Sequence, residues 1–585
     1  MEKLAFVRSI GVMPLLLALV LLAPGVARAA TGNPACPGED VFFDPGNGED
    51  IVVPTGYKVE VFAKGLNFPT AIAFRGDEKN FKVFVLESGR GLPSRCNNNE
   101  LPAFGGKFSA ANPLTPDILV FDNRGTKIAG PLGKPTSTGG GFQPDGPAVG
   151  LGFEDGFEGG RLFATDSNQS LRTTGRNNSS RIVIVDPNTG AVTPFITGLP
   201  TGDHPSEQLA FKDGFIFWSQ GSTTNSGVVG HDNGDGANQQ DIPCQDIKLS
   251  DNVFDSGDKH LTSGYSPHGV ARRGAVVRAF ESATAAGMCD GAILRAKLHA
   301  KDPKSTIEPF SWGYRNPFGI RFAPDDHALK GGLFVTENGE DERGARPTNN
   351  APDRLQLAEM NPDGSPDYHG WPDRFGFLDS TQALFNPVGG PGDDCVSCSK
   401  GQPVKHVLAF PPQPPKAPLA IEPADVAAVG LDFVPDSFVH GPVKKGAALV
   451  TREGDFGFSH ANGIPEEGHD IELVNFSRPG EPLELELSRF ARNTTFEQAF
   501  VSRIRGINRP VDGKFGPDGA FYLVDYGAVR DFGQSDPESR FCQRTNLDGT
   551  PNTNFPACNA DGPLLQIPRT GVIWKISRTD AEGHD

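Results

Sequence analysis

The sequence predicts an all-β protein, a six-bladed β-propeller of four-stranded antiparallel blades with large loop insertions. Three observations carry that reading. The first is composition: of 585 residues, 72 are Gly and 51 are Pro with no G-X-Y period, while 37% are hydrophobic and 42 are Phe. Such a chain is folded but rich in turns, which favours many short strands over a helical bundle and excludes collagen. The second is a segment that recurs six times, in which small or branched residues lead to a Phe and a second strand follows. The third is that the last strand, Val572 to Ile576, could pair with the first, Tyr57 to Phe62. Pairing the two would close a ring and leave no exposed sheet edge.

From the N-terminus, Lys3 and Arg8 precede an apolar run from Gly11 to Leu22, and Ala27-Arg28-Ala29 supplies an A-x-A cleavage site. This reads as a signal peptide over 1–29 and predicts export. A membrane anchor is the competing reading, but the run falls short of the ~20 residues a span needs. Residues 30–56 read as an N-terminal extension. Net charge is −18, or −20 once 1–29 is removed, which disfavours nucleic acid and anionic lipid as partners. The eight Cys all follow the cut, an even number that suits disulfides in an exported chain. Cys542 with Cys558 is the expected local staple. Cys395-Val-Ser-Cys398 is followed by Ser399 where covalent haem attachment needs His, and it reads as a loop disulfide.

The six echoes are TAIAF ending at Phe74, VGLGF at Phe153, EQLAF at Phe211, FGIRF at Phe322, VGLDF at Phe433 and VDGKF at Phe515. Each is followed by a partner strand: FKVFVLES, GRLFATDS, GFIFWSQG, GGLFVTEN, GAALVTRE and GAFYLVDY. Each pair reads as the inner hairpin of a blade. The Phe positions are 58 to 111 residues apart, too long and uneven for WD40 or kelch arrays. A single propeller over 57–578, with insertions near 212–310 and 379–428, accounts for the length. Six unrelated hairpins in two sandwiches would be the alternative. A helix is expected around Ala275 to Ala286.

Chemistry-bearing residues gather at blade entrances. Ser311-Trp-Gly-Tyr-Arg-Asn-Pro-Phe318 places Arg315 and Asn316 just before the fourth inner strand. There an Arg fork could hold a carboxylate or polarise a carbonyl; capping a turn is an equal reading. Thr201-Gly-Asp-His-Pro205 puts His204, with Asp203 beside it, before the third. Histidine is suited to proton abstraction near neutral pH, although an Asp-His-Pro turn is also ordinary loop chemistry. Arg509 precedes the sixth inner strand, and Arg452 ends the second strand of blade five. Arginines converging on one channel of an acidic molecule imply an anionic ligand; surface salt bridging is their plainer use.

With Glu337-Asn-Gly-Glu-Asp-Glu342, Tyr368-His-Gly-Trp-Pro372 and RPVDGKFGPDGAFYLVDYG added to GYRNPFGIRF, the chain resembles the soluble glucose/sorbosone dehydrogenases from about Tyr57 to Ile576. These are six-bladed propellers that use pyrroloquinoline quinone (PQQ) and calcium. The resemblance implies His204 as general base with Asp203 as its acid neighbour, and Arg315 and Asn316 against the quinone, with Arg315 beside the carbonyl that is reduced. It implies Arg509 near the cofactor carboxylates, Arg452 loosely in place of a cofactor-binding Lys, and the main chain of Gly339 and Glu340 as holders of calcium. The chain departs from the pattern at Asp353-Arg354, where the family has Asp-Glu, and at Tyr368-His369. It also has no clear equivalent of a cofactor-touching Gln near Gly146-Pro147.

The resulting expectation is an exported, PQQ- and calcium-dependent dehydrogenase of an aldose or related polyhydroxy aldehyde. Electrons would pass to an external acceptor, since no haem motif is present. Two rivals stay open. One is a calcium-dependent lactonase-type hydrolase, for which Glu337, Asp341 and Asp353 are candidate ligands. The other is a propeller that binds carbohydrate or protein without catalysis.

Overall fold

The computed structural model describes most of residues 43–530 and 568–579. It leaves aside 90–114, 136–139, 145, 170–177, 231–232, 234–238, 258, 284–286, 389–399, 455–466 and 479, and adds short backbone strands at 30–31, 40–41 and 565–566. The expected signal peptide, Cys395, Cys398, Cys542 and Cys558 lie outside the described residues.

Six sheets form the blades, four of them four-stranded and antiparallel as expected. Blade three adds Asp367–Tyr368 parallel to its outer strand, and blade five adds Ile51–Val52. Each echo supplies the two inner strands of one blade. Blade one runs Pro69–Asp77, Asn80–Glu87, Asp117–Asp122 and Lys127–Leu132 from the axis outward. The other inner hairpins are Leu151–Phe153 with Leu162–Asp166, Ser206–Lys212 with Phe215–Gln220, and Asn316–Phe322 with Leu333–Asn338. Ala428–Phe433 with Ala448–Arg452 and Pro510–Phe515 with Phe521–Asp525 complete the set. In blade six Gly571–Arg578 pairs antiparallel with Tyr57–Leu66, Trp574 facing Val61 and Ile576 facing Val59. The two ends of the propeller are thereby stitched into one sheet.

The echo exists because every blade is covered on both faces. Along the second strand of blade one, Val83 and Val85 enter the core shared with blade six, while Phe84 and Leu86 enter the core shared with blade two. The same alternation sends Phe217 toward blade four and Ile216 and Trp218 toward blade two. Side chains alternate with a period of two, so a strand buried on both faces reads as a continuous apolar run. Each echo Phe packs against the preceding blade: Phe74 joins Tyr522, Phe153 joins Phe84, and Phe515 joins Phe438. Burying one such ring contributes roughly 1.5–3 kcal/mol.

Glycine enters the echo for a second reason. A Cβ on Gly319 would stand 2.0 Å from the Val429 carbonyl oxygen, and one on Gly430 would stand 2.6 Å from Asp512 Cα. Neighbouring blades touch there through their backbones, and only glycine fits. The freed N–H groups find hydroxyls on the second strand: Gly150 donates to Thr165 at 2.7 Å, Gly319 to Thr336 and Gly430 to Thr451, both at 2.9 Å.

The expected helix at Ala275 to Ala286 does not form in its described part. Val276–Val277 is instead a short strand paired with Ile247–Lys248, and Phe280 has φ +62°, which ends any right-handed helix. The insertion carrying it is fastened by a disulfide between Cys244 and Cys289. No described helix is long and apolar enough to cross a membrane.

Candidate functional site

In blades four and six a carboxylate at the end of the second strand holds the chain that enters the inner strand. Glu337 Oε1 accepts the Arg315 N–H at 3.0 Å, and Asp525 accepts the N–H groups of Asn508 and Arg509 at 2.9 and 2.8 Å. Arg315 and Arg509 are therefore fixed at the same end of the channel. Glu337 is itself buried, gripped by Arg354 Nε at 3.0 Å and Gln356 Nε2 at 2.8 Å. Where the resembled family has a carboxylate, the buried Arg354 is thus the counter-charge of Glu337.

His204 and Arg315 meet through one residue. The Ser222 N–H donates to the Arg315 carbonyl at 2.8 Å, and the Ser222 carbonyl accepts the His204 N–H at 3.1 Å. A Cβ on Gly221 would lie 2.2 Å from His204 Cβ, so the turn after the blade-three strand must carry glycine there. Thr223 continues this support: its carbonyl accepts the Asp203 N–H at 3.0 Å, while its hydroxyl donates to the buried Asp290 at 2.5 Å. Asp290 follows Cys289, so the disulfide and the site share one piece of backbone.

From His204 a row of alternating charges runs along the mouth. His204 Nδ1 lies 3.6 Å from Asp203 Oδ2, too far for a hydrogen bond, and has no hydrogen-bond partner. Asp203 is instead held by the fork of Arg343, Nη2 on Oδ2 and Nη1 on Oδ1. Arg343 Nε reaches Asp341 Oδ2 at 2.9 Å, and Arg315 Nη2 reaches the same oxygen at 2.5 Å. Asn225 locks this junction: its side-chain oxygen accepts from Arg315 Nε and the Asp341 N–H, and its amide donates to the carbonyls of Asp341 and Arg343. On the other side Asn316 faces the buried Glu207, to which its amide nitrogen can donate at 2.8 and 3.0 Å.

Burial sets the charge states. Desolvation and the nearby Arg315 push His204 down to about 3, so its imidazole is neutral throughout the physiological range. Desolvation raises Glu207 well above the usual carboxylate range, Arg315 pulling against it and Glu453 adding to the rise. Burial raises Glu453 as well, with Arg509 opposing. Three guanidinium groups therefore face two aspartates and two glutamates biased toward the neutral acid, which leaves the mouth suited to an anion.

The expected residues divide. His204, Asp203, Arg315 and Asn316 come together, and Arg509 is linked to them electrostatically, acting on Glu453 as Glu453 and Arg315 act on Glu207. Arg452 belongs elsewhere: its Nε and Nη2 bind Asp470 at 2.7 and 2.6 Å, and Nη1 lies 3.2 and 3.3 Å from Glu422 and Glu472. Its position at the end of the blade-five strand is that of Glu337 and Asp525, with the charges reversed. Gly339 donates to Asp353 at 2.7 Å, and the adjoining Glu340 side chain is only 1% exposed with no hydrogen-bond partner on either oxygen. Unpartnered carboxylate oxygens suit a hard cation. No group of three or more His, Cys, Asp or Glu side chains able to hold a metal occurs among the described residues. Glu337, Asp341 and Asp353 are each taken up by protein partners.

No known family model and no curated protein matches the chain. Among solved structures, an enzyme of carbohydrate-active family AA12 from Trichoderma reesei aligns over 93% of this chain and all of its own, at 14% identity and TM-score 0.47. A glucose dehydrogenase aligns over 88% of this chain and 99% of its own, at 12% identity and TM-score 0.41. At such identities the likeness concerns only the fold.

Arg343 and Asn225 were not picked out by sequence reading. Arg343 directly follows the Glu337 to Glu342 run, yet nothing in the spacing marks which charge there turns inward. Asn225 lies in a polar loop without periodicity. The rest of the GYRNP and YHGWP motifs is packing: Tyr314 stacks on His369 at 4.5 Å, and Trp312 meets Tyr368 at 4.9 Å.

Proposed function

We propose that the chain is an exported oxidoreductase that oxidises an aldose or related polyhydroxy aldehyde at the mouth of the channel. It would use PQQ and calcium and pass electrons to an external acceptor. The observation that carries the reading is the junction of His204 and Arg315 through Ser222, a proton acceptor and a buried cation on one rigid backbone. His204 is neutral and can take the proton of a sugar hydroxyl. Arg315 stabilises negative charge that develops beside it. PQQ, when bound, supplies the two-electron acceptor, and calcium supplies a hard Lewis acid. Its carboxylates fit a mouth with an excess of guanidinium, so Arg315, Asn316 and Arg509 would hold it. The main chain of Gly339 and Glu340, beside the unpartnered Glu340 carboxylate, would hold calcium. Arg452 is left out of this set because three carboxylates already claim it. The Cys244–Cys289 disulfide supports an oxidising compartment.

The lactonase reading has less support, because its three candidate carboxylates do not form a metal cluster. The test is to add PQQ and calcium to purified protein and follow sugar-dependent dye reduction. His204→Ala should abolish turnover while sparing PQQ binding. Activity that never depends on PQQ would remove the proposal.

A further inference from the structure

Asp203 lies beside both the His204 imidazole and the Arg343 guanidinium, and its carboxylate is gripped by Arg343. Its Oδ2 lies 3.6 Å from His204 Nδ1, and that same oxygen carries the Nη2 end of the Arg343 fork. Arg343 is itself held from behind, with Nε on Asp341 at 2.9 Å and its carbonyl on Asn225 Nδ2 at 3.1 Å. At 23% side-chain exposure it is the most accessible guanidinium of the row, whereas Arg315 is 4% exposed. The groups whose charges act on His204 are Asp203, Arg315, Arg343 and Asp341, two cations against two anions.

We propose that Arg343 is a positioning residue that sets the basicity of His204 by holding the Asp203 carboxylate away from the imidazole. A carboxylate shared with a forked guanidinium is a weaker acceptor toward a second donor, because its lone pairs and its charge are already engaged. Freeing Asp203 would let Oδ2 accept from a protonated Nδ1, and the imidazolium would gain a paired anion and lose a neighbouring cation. Both changes act in the same direction. The inference gives functional meaning to His204 only within the proposed activity, but its test does not need turnover.

The experiment is a histidine NMR titration of the full chain without ligand, with the His204 signal assigned through His204→Gln. In the wild type His204 stays neutral down to pH 5. In Arg343→Met its proton affinity rises at least tenfold, seen as partial protonation at pH 5. Arg343→Lys, which can still occupy one Asp203 oxygen, stays near the wild type. Arg343→Met with Asp203→Asn returns the signal to the wild-type state. If Arg343→Met does not fold, Arg343→Gln replaces it with similar bulk and no charge. An unchanged His204 in the folded Arg343 variant, or a rise that persists when Asp203 is also removed, overturns the proposal. A His204 that responds as expected in a protein inactive toward sugars would leave this coupling standing and remove the proposed activity instead.

Discussion

Arg315 Nη2 lies 2.5 Å from Asp341 Oδ2, and Arg343 Nε donates to that same oxygen at 2.9 Å. One carboxylate oxygen therefore accepts from two guanidinium groups, of which Arg315 is buried. Asp341→Asn keeps the shape and removes the charge. Charge-assisted hydrogen bonds of this kind contribute about 1.5–3 kcal/mol, and a loss of about 2 kcal/mol is expected in urea unfolding. Because Arg315 then loses its ion-paired carboxylate, the affinity for PQQ should rise as stability falls. A fall in both would show that Asp341 supports the ligand directly.

Inner-strand glycines give a prediction about the fold alone. Gly319→Ala places a methyl 2.0 Å from the Val429 carbonyl oxygen and 2.7 Å from Thr336 Oγ1. Blades four and five must move apart, and overpacking of this kind costs about 1–3 kcal/mol. Gly214→Ala is the control for replacing a glycine: its added Cβ meets nothing within 4 Å, although its φ of +76° carries backbone strain of its own. An unchanged unfolding midpoint in Gly319→Ala, whose φ is unremarkable, would show that blades four and five do not press together there.

The six hairpins were legible in the sequence because each is buried on both faces, which writes a long apolar run ending in Phe. Blade entrances were legible too, since the residues just before an inner strand sit at the end of the blade where the chain turns into the channel. What stayed hidden was how charges pair once there. Arg452 and Arg509 looked alike in sequence as cations at a strand end and a strand start. Only packing shows that Arg452 faces Asp470, Glu422 and Glu472 within the sheet. Nor could local spacing reveal that Arg343, 140 residues from Asp203, would claim its carboxylate. The expected helix at Ala275 failed because small residues score as helical wherever they occur, while Phe280 adopts a left-handed turn.

Arg452 separates a structural charge from a ligand-binding one. Removing one partner of a buried ion network costs about 3–5 kcal/mol, since the remaining charges stay desolvated. Arg452→Met should lose about that much in chemical denaturation, and the fraction that folds should bind PQQ as the wild type does. Weakened PQQ binding by a folded Arg452→Met protein would restore the cofactor role implied by family resemblance.

The last prediction concerns pH and lies far from the mouth. Glu87 and Asp117 are buried side by side in blade one: desolvation and the neighbouring Asp117 raise Glu87 from 4.5 to about 8, while desolvation raises Asp117 from 3.8 to about 6 against its hydrogen bond with Glu87. The pair holds a proton in the folded state that the unfolded chain releases. Stability from Glu87 is therefore fully present below about pH 4.5 and is lost as pH rises through about 8. Each such proton gives a slope of at most about 1.4 kcal/mol per pH unit within that window. Glu87→Gln keeps an acceptor for the Asn67 N–H, which Glu87 Oε1 receives at 2.5 Å, and supplies an amide donor to Asp117 without a titrating proton. The melting temperature of the wild type should fall between pH 6 and 9 more steeply than that of Glu87→Gln. Calorimetry across that range decides the matter, and parallel curves would mean that the pair carries no shared proton.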